Sequence, residues 1–208
     1  MCRRLLCYGD SNTYGYNPRS FLGGRYPESV RWTALLNAAN WDVINRGENG
    51  RSIPRLDREI EAAVQTIRGI ETDILTVMLG SNDLLQCPGL SAEVCGERME
   101  RFLRAILIQT QGSPKILLVA PPPMAAGAWV SDHRTLEASR RLAGYYEMAA
   151  RQWGIAFADA GAWVVGLTYD GVHFSEDGHL AFAKGMQKHW MICDERVNGG
   201  NPCMKGRF

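Results

Sequence analysis

Short apolar runs alternating with segments of helical period constrain this chain more than any other feature of its sequence. The runs lie at residues 4–8, 42–45, 74–79, 115–120 and 155–158, each of strand length. Between them apolar residues recur every three or four positions. Trp32, Leu35, Leu36 and Ala39 mark one helical face, and Leu56, Ile60, Ala63, Val64 and Ile67 a second. Met99, Phe102, Leu103 and Ile106 mark a third, and Leu142, Tyr146, Ala149, Ala150 and Trp153 a fourth. The last face, Leu180, Ala183, Met186 and Trp190, follows acidic Glu176 and Asp177, which suit a helix N-terminus. Apolar strands separated by helices pack as a parallel sheet covered on both faces. The expectation is an α/β fold.

A chain of 208 residues suffices for one such domain, read here as 1–190. Beyond Trp190 the periodicity fades, so 191–208 reads as a loosely ordered tail. Lys+Arg at 23 against Asp+Glu at 22 leaves a net charge of +1 with no basic block, so nucleic acid is not an expected partner. No apolar run approaches the roughly 18 residues of a membrane helix. The basic start, Met1-Cys2-Arg3-Arg4, leads into an apolar stretch that stops at Gly9, short of a signal-peptide core of about 7–15 residues. The chain therefore reads as cytoplasmic. Cys2, Cys7, Cys87, Cys95, Cys193 and Cys203 are scattered without a Cys-x-x-Cys pair and read as free thiols, with Cys193 and Cys203 the one conceivable pair.

Loops that follow parallel strands gather at the carboxyl edge of the sheet, where open α/β folds bind ligands. The first run ends in Gly9-Asp10-Ser11-Asn12, which delivers a serine hydroxyl to a strand-to-helix turn. Such a serine is either the N-cap of the next helix or a nucleophile with a base beside it. Asp170-Gly171-Val172-His173 supplies the missing groups, because a carboxylate three residues before an imidazole can fix its tautomer. Alternatively, the pair is a cap and a surface histidine, or two ligands of a metal. His133, His179 and His189 have no spacing that completes a metal site, and His179 reads as a surface or packing residue. Gly80-Ser81-Asn82-Asp83 follows the third run and offers either a turn or an amide donor for an oxyanion. The loop after the second run holds two glycines, Gly47 and Gly50, either of which has a backbone N–H for the same purpose.

Gly9-Asp10-Ser11-Asn12, Gly50, Gly80-Ser81-Asn82-Asp83 and Asp170-Gly171-Val172-His173 resemble, in order, the four blocks of the SGNH (GDSL-type) hydrolases. With Thr13-Tyr14-Gly15-Tyr16 and Arg31-Trp32, the likeness is to the bacterial arylesterase and acyltransferase branch. It implies a flavodoxin-like three-layer α/β/α sandwich of five parallel strands in the order 2-1-3-4-5. It also implies esterase, thioesterase or carbohydrate-deacetylase activity without a cofactor. The expectation is a metal-free serine esterase for small acyl esters, aryl esters and O-acetylated carbohydrate among them, with acyl transfer to alcohols a related outcome. Ser11 becomes the nucleophile, His173 the base and Asp170 its orienting partner. The N–H groups of Ser11 and Gly50 and the Asn82 amide become the oxyanion hole, with Gly50 preferred to Gly47.

Asp10, Tyr14, Tyr16, Pro122, Met124, Trp129, Val172 and Phe174 flank these blocks and are expected to line the substrate pocket or pack beneath it. Absence of a long apolar lid points to a short acyl group. The stretch 21–26 reads as an exposed insertion, used for homo-oligomer contacts or as a flap over the site. Two other classes fit less well. A flavodoxin-like phosphate-binding module would have to tolerate Asp10 and lacks a P-loop lysine. It would also leave Asp170 and His173 without a use. A non-catalytic relative that binds acylated glycans is disfavoured by the intact set of Ser11, Asp170 and His173.

Overall fold

Five strands, β1 (Arg3–Gly9), β2 (Trp41–Gly47), β3 (Ile74–Met78), β4 (Lys115–Ala120) and β5 (Ala156–Asp159), form one sheet in the order β2-β1-β3-β4-β5. Every pairing in it is parallel. The computed structural model describes residues 3–20, 22–37 and 41–198, with the backbone alone for Asn37 and 190–198. Ala39, Phe21, Cys2 and Cys203 lie outside the described residues.

Alternation along the strands divides the core in two. Leu6 and Tyr8 of β1, Leu75 and Val77 of β3, and Ile116 and Leu118 of β4 face one way. They meet α3 (Asp57–Arg68), α5 (Ala92–Thr110) and α6 (His133–Trp153). Leu5 and Cys7, Ile74 and Met78, and Leu117 and Val119 face the other way. There they pack on α2 (Trp32–Asn37), the 3-10 turn Ala160–Trp163 and α7 (Glu176–Asn198). The predicted three-layer order is the observed one. The last helix departs from expectation, since its backbone continues past Trp190 to Asn198. No glycine or proline interrupts residues 191–198, and a helix propagates without an apolar stripe until a breaker stops it. None of the described helices is long and apolar enough to cross a membrane.

The register positions the loops. Gly9 at the end of β1 stands level with Gly47 of β2 on one side and Met78 of β3 on the other. Residues 10–11, 48–50 and 79–82 therefore leave the sheet side by side. Two short helices begin there, α1 (Ser11–Tyr14), with Asp10 as N-cap, and α4 (Ser81–Gln86), with Gly80 as N-cap. Tyr146 of α6 reaches the same edge from beneath and donates its hydroxyl to the Leu79 carbonyl at 2.9 Å.

Among the polar groups held fully out of water are the Tyr146 hydroxyl and the imidazole of His179 in α7. His179 is a packing residue, not a surface one, with Tyr26 and Phe174 at ring distances of 5.2 Å and 5.5 Å. Its Nδ1 accepts the Trp32 N–H at 3.5 Å. Burial, reinforced by the charges of Arg31 and His173, pushes the imidazole from 6.5 down to about 4.

Tyr146→Phe removes the hydroxyl and strands the buried Leu79 carbonyl, so denaturant titration should show a loss of about 1–3 kcal/mol. His179 binds a proton more weakly folded than unfolded, so its contribution to stability is lost as pH falls from about 6.5 to about 4. Unfolding free energies of parent and His179→Gln should therefore converge over that window, by roughly 3 kcal/mol.

Candidate active site

Ser11 lies at the first position of α1 because β1 ends in Gly9 and Asp10 caps the turn, its Oδ1 accepting the Asn12 N–H at 2.9 Å. The Ser11 hydroxyl lies 3.0 Å from Nε2 of His173. Nδ1 of His173 lies 2.7 Å from Oδ2 of Asp170. The other Asp170 oxygen accepts the N–H groups of Val172 and His173, both at 2.9 Å. Burial pushes this carboxyl up. The His173 imidazole, the two backbone donors and the imidazole's charge outweigh it and hold Asp170 at about 2. Asp170 is thus an anion that orients the ring, leaving Nε2 toward the hydroxyl. All three side chains are buried, Ser11 at 6% exposure being the most open.

Candidate oxyanion donors converge on the same edge. Neither the Ser11 N–H nor the Gly50 N–H has an acceptor among the described residues. Asn82 gives one amide hydrogen to the Arg51 carbonyl at 3.0 Å, which leaves a second free to donate. The two glycines of the second loop differ in kind. The Gly47 N–H is spent on Asn45 Oδ1 at 2.8 Å, and a Cβ there would lie 2.0 Å from the Tyr14 nitrogen, so Gly47 is a close-packing residue. Gly50 adopts φ +75 in open space, its carbonyl held by Gln86 at 3.0 Å.

The residues expected around the pocket divide sharply. Tyr16 and Trp129 flank His173, at ring distances of 4.7 Å and 4.9 Å, and Trp129 is half exposed. Tyr14 sits beneath the Arg25 guanidinium, 4.2 Å from its ring centre. Phe174 is instead fully buried against Phe182 and His179, because β-like pairing with Leu167 turns its side chain into the second core. Met124, Val172 and Pro122 are likewise buried and pack beneath the site. Asp10 is buried at the turn, and burial, opposed by the Asn12 N–H and by the charges of His173 and Arg51, pushes it up to about 6.

Some site residues escaped sequence reasoning. Asn12 donates to the Val172 carbonyl at 3.1 Å and accepts the Phe174 N–H at 2.9 Å, gripping the backbone on both sides of His173. The stretch after β4 straps the Asp170 loop: Ala125 donates to the Gly171 carbonyl, Ala128 to that of Tyr169 and Trp129 to that of Asp170, at 3.0–3.2 Å. Asp83 accepts the Ile53 N–H at 2.9 Å and Arg98 at 3.0 Å, tying α4 to the second loop and to α5. Asn12 and Asp83 had a signal, as polar residues within the blocks that hold Ser11 and Asn82. The strap is held by backbone atoms, which leave no side-chain pattern. Among the described residues no three His, Cys, Asp or Glu side chains group as metal ligands.

Fold and sequence together define a carboxylic ester hydrolase. The chain belongs to the GDSL-like lipase/acylhydrolase family, whose sequence profile matches residues 7–181. Among solved structures it is similar to a carbohydrate acetylesterase family member from Sinorhizobium meliloti, with 27% identity and a TM-score of 0.78 over 91% of this chain and 98% of the other. It is also similar to the aryl esterase of M. smegmatis, at 25% identity and a TM-score of 0.79 over 92% of this chain and 99% of that one. No significant match is found among curated proteins.

Because Asn12 bridges the two sides of His173, Asn12→Ala should lower kcat by about tenfold to a hundredfold with little change in KM. Asn12→Asp keeps the acceptor for Phe174 but loses the donor for Val172, and should be similarly impaired in steady-state assays.

Proposed function

We propose that the protein is a serine esterase for small-molecule esters of short acyl groups. The observation that carries this reading is the hydrogen-bonded chain from the Ser11 hydroxyl through His173 to Asp170, at 3.0 Å and 2.7 Å. His173 takes the Ser11 proton as the oxygen attacks the ester carbonyl carbon. The carbonyl electron pair moves to the oxygen, which the N–H groups of Ser11 and Gly50 and the Asn82 amide stabilise. As the carbonyl re-forms, the C–O bond to the alcohol breaks and His173 protonates the departing oxygen. Water, giving its proton to His173, then attacks the acyl carbon; the bond from that carbon to the Ser11 oxygen breaks, His173 returns the proton to that oxygen, and the carboxylic acid leaves. An alcohol in place of water completes acyl transfer.

Tyr16 and the half-exposed Trp129 offer ring surfaces beside the imidazole that receives and returns the proton. Such faces suit a flat leaving group, an aryl alcohol or a sugar ring. The names of the similar proteins, an aryl esterase and a carbohydrate acetylesterase, agree with that preference. Phe174 and Met124 contribute no open apolar channel, which favours acetyl or propionyl over long chains.

With p-nitrophenyl acetate, Asn82→Ala should reduce kcat by about 10²–10³ and Ser11→Ala by more. A fluorophosphonate should label Ser11 in the unaltered protein, as shown by peptide mass mapping. Parent-like turnover by purified Ser11→Ala would refute the assignment.

A further inference from the structure

Three loops carry the candidate oxyanion donors, and one residue bonds to all of them, two through its side chain and the third through its backbone carbonyl. Arg51 is largely buried, at 17% side-chain exposure. Its Nη1 donates to the Gly9 carbonyl at 2.8 Å, at the root of the turn that presents Ser11. The same nitrogen donates to the Arg46 carbonyl, and Nη2 meets Glu48 at 2.5 Å, bracketing the loop that presents Gly50. The Arg51 carbonyl accepts the Asn82 amide at 3.0 Å. The guanidinium lies over the Tyr8 ring, 4.2 Å from its centre, so the fork is held in one plane. No other side chain described here bonds the Ser11 turn and the Gly50 loop while its own backbone fixes Asn82.

We infer that Arg51 is a positioning residue that aligns the three oxyanion donors, an inference that rests on the donor assignment proposed above. Its guanidinium holds the roots of two loops at a set separation, and its carbonyl fixes which amide hydrogen of Asn82 remains to face the substrate. An oxyanion hole works only if its donors are already aimed where charge will develop. Losing the fork loosens that aim in the transition state more than it weakens binding of the neutral ester. A lysine at this position keeps a charge and three donors, but on one nitrogen, so it cannot reproduce the planar two-nitrogen fork that holds the carbonyls and Glu48 together.

The experiment compares the parent, Arg51→Met and Arg51→Lys in steady-state hydrolysis of p-nitrophenyl acetate, with melting curves. Inhibition by phenylboronic acid, which forms a tetrahedral adduct with an active serine, is measured alongside. Arg51→Met should lose about tenfold to a hundredfold in kcat with KM within about twofold, while its boronate Ki rises by a similar factor. Arg51→Lys should recover part of both losses. If Arg51→Met does not fold, Arg51→Gln, which drops the charge and keeps a single-armed donor, takes its place with the same expectation. Unchanged kcat, a loss confined to KM, or an unaltered boronate Ki in a kcat-impaired variant would each overturn the inference. Fluorophosphonate labelling of the parent separates the two levels. Labelling at Ser11 with an unimpaired Arg51→Met sinks the role of Arg51 alone, whereas failure to label Ser11 removes the donor assignment and the inference with it.

Discussion

The level ending of three neighbouring strands is the constraint on which the rest of this molecule depends. Gly9, Gly47 and Met78 share one height in the sheet, so the chain leaves β1, β2 and β3 at adjacent points. A slip of one residue would also turn every side chain of a strand to the opposite core. Here both cores are filled, by Leu6 and Tyr8 on one side and Leu5 and Cys7 on the other, so the penalty for slipping is large. Apolar packing within the sheet thereby sets the spacing of polar groups at its edge.

At that edge most of the buried carboxyl and carboxamide groups are matched, while the Thr13 and Thr168 hydroxyls are not, and the matches do the positioning. Asp170 spends one oxygen on two backbone N–H groups and the other on His173, which leaves neither the loop nor the ring free to turn. Asn12 closes the same loop from the side of the serine turn. Asp83, its carboxylate fully buried and paired with the partly exposed Arg98, does the equivalent for the second loop through Ile53. A carboxylate taken from water needs such partners or it takes up a proton. Asp10 and Asp83 show the other outcome, because burial outweighs their partners, pushing the Asp83 carboxyl up and that of Asp10 to about 6.

Much of this was legible in the residue order. Strand positions, layer count and the four blocks all follow from apolar period and from short runs of Gly, Asp, Ser, Asn and His. Roles that depend on which way a side chain points were not legible. Phe174 sits next to His173 in the chain yet faces the opposite core, and Val172 and Met124 pack beneath the site. The strapping role of residues 125–129 left no mark, although Trp129 was expected near the site, since backbone N–H groups of any residue type can make its bonds.

By itself, then, the order of residues determined a parallel α/β sandwich and the kinds of chemical group at its carboxyl edge, because periodicity and composition are local properties. Only the folded chain decided that Gly50 and not Gly47 has a free N–H, that Asn12 grips the His173 loop, and that Arg51 joins three loops. Those facts are distances between residues far apart in sequence. They are set by strand register and by the need of every buried donor and acceptor to find a partner, which no local pattern encodes.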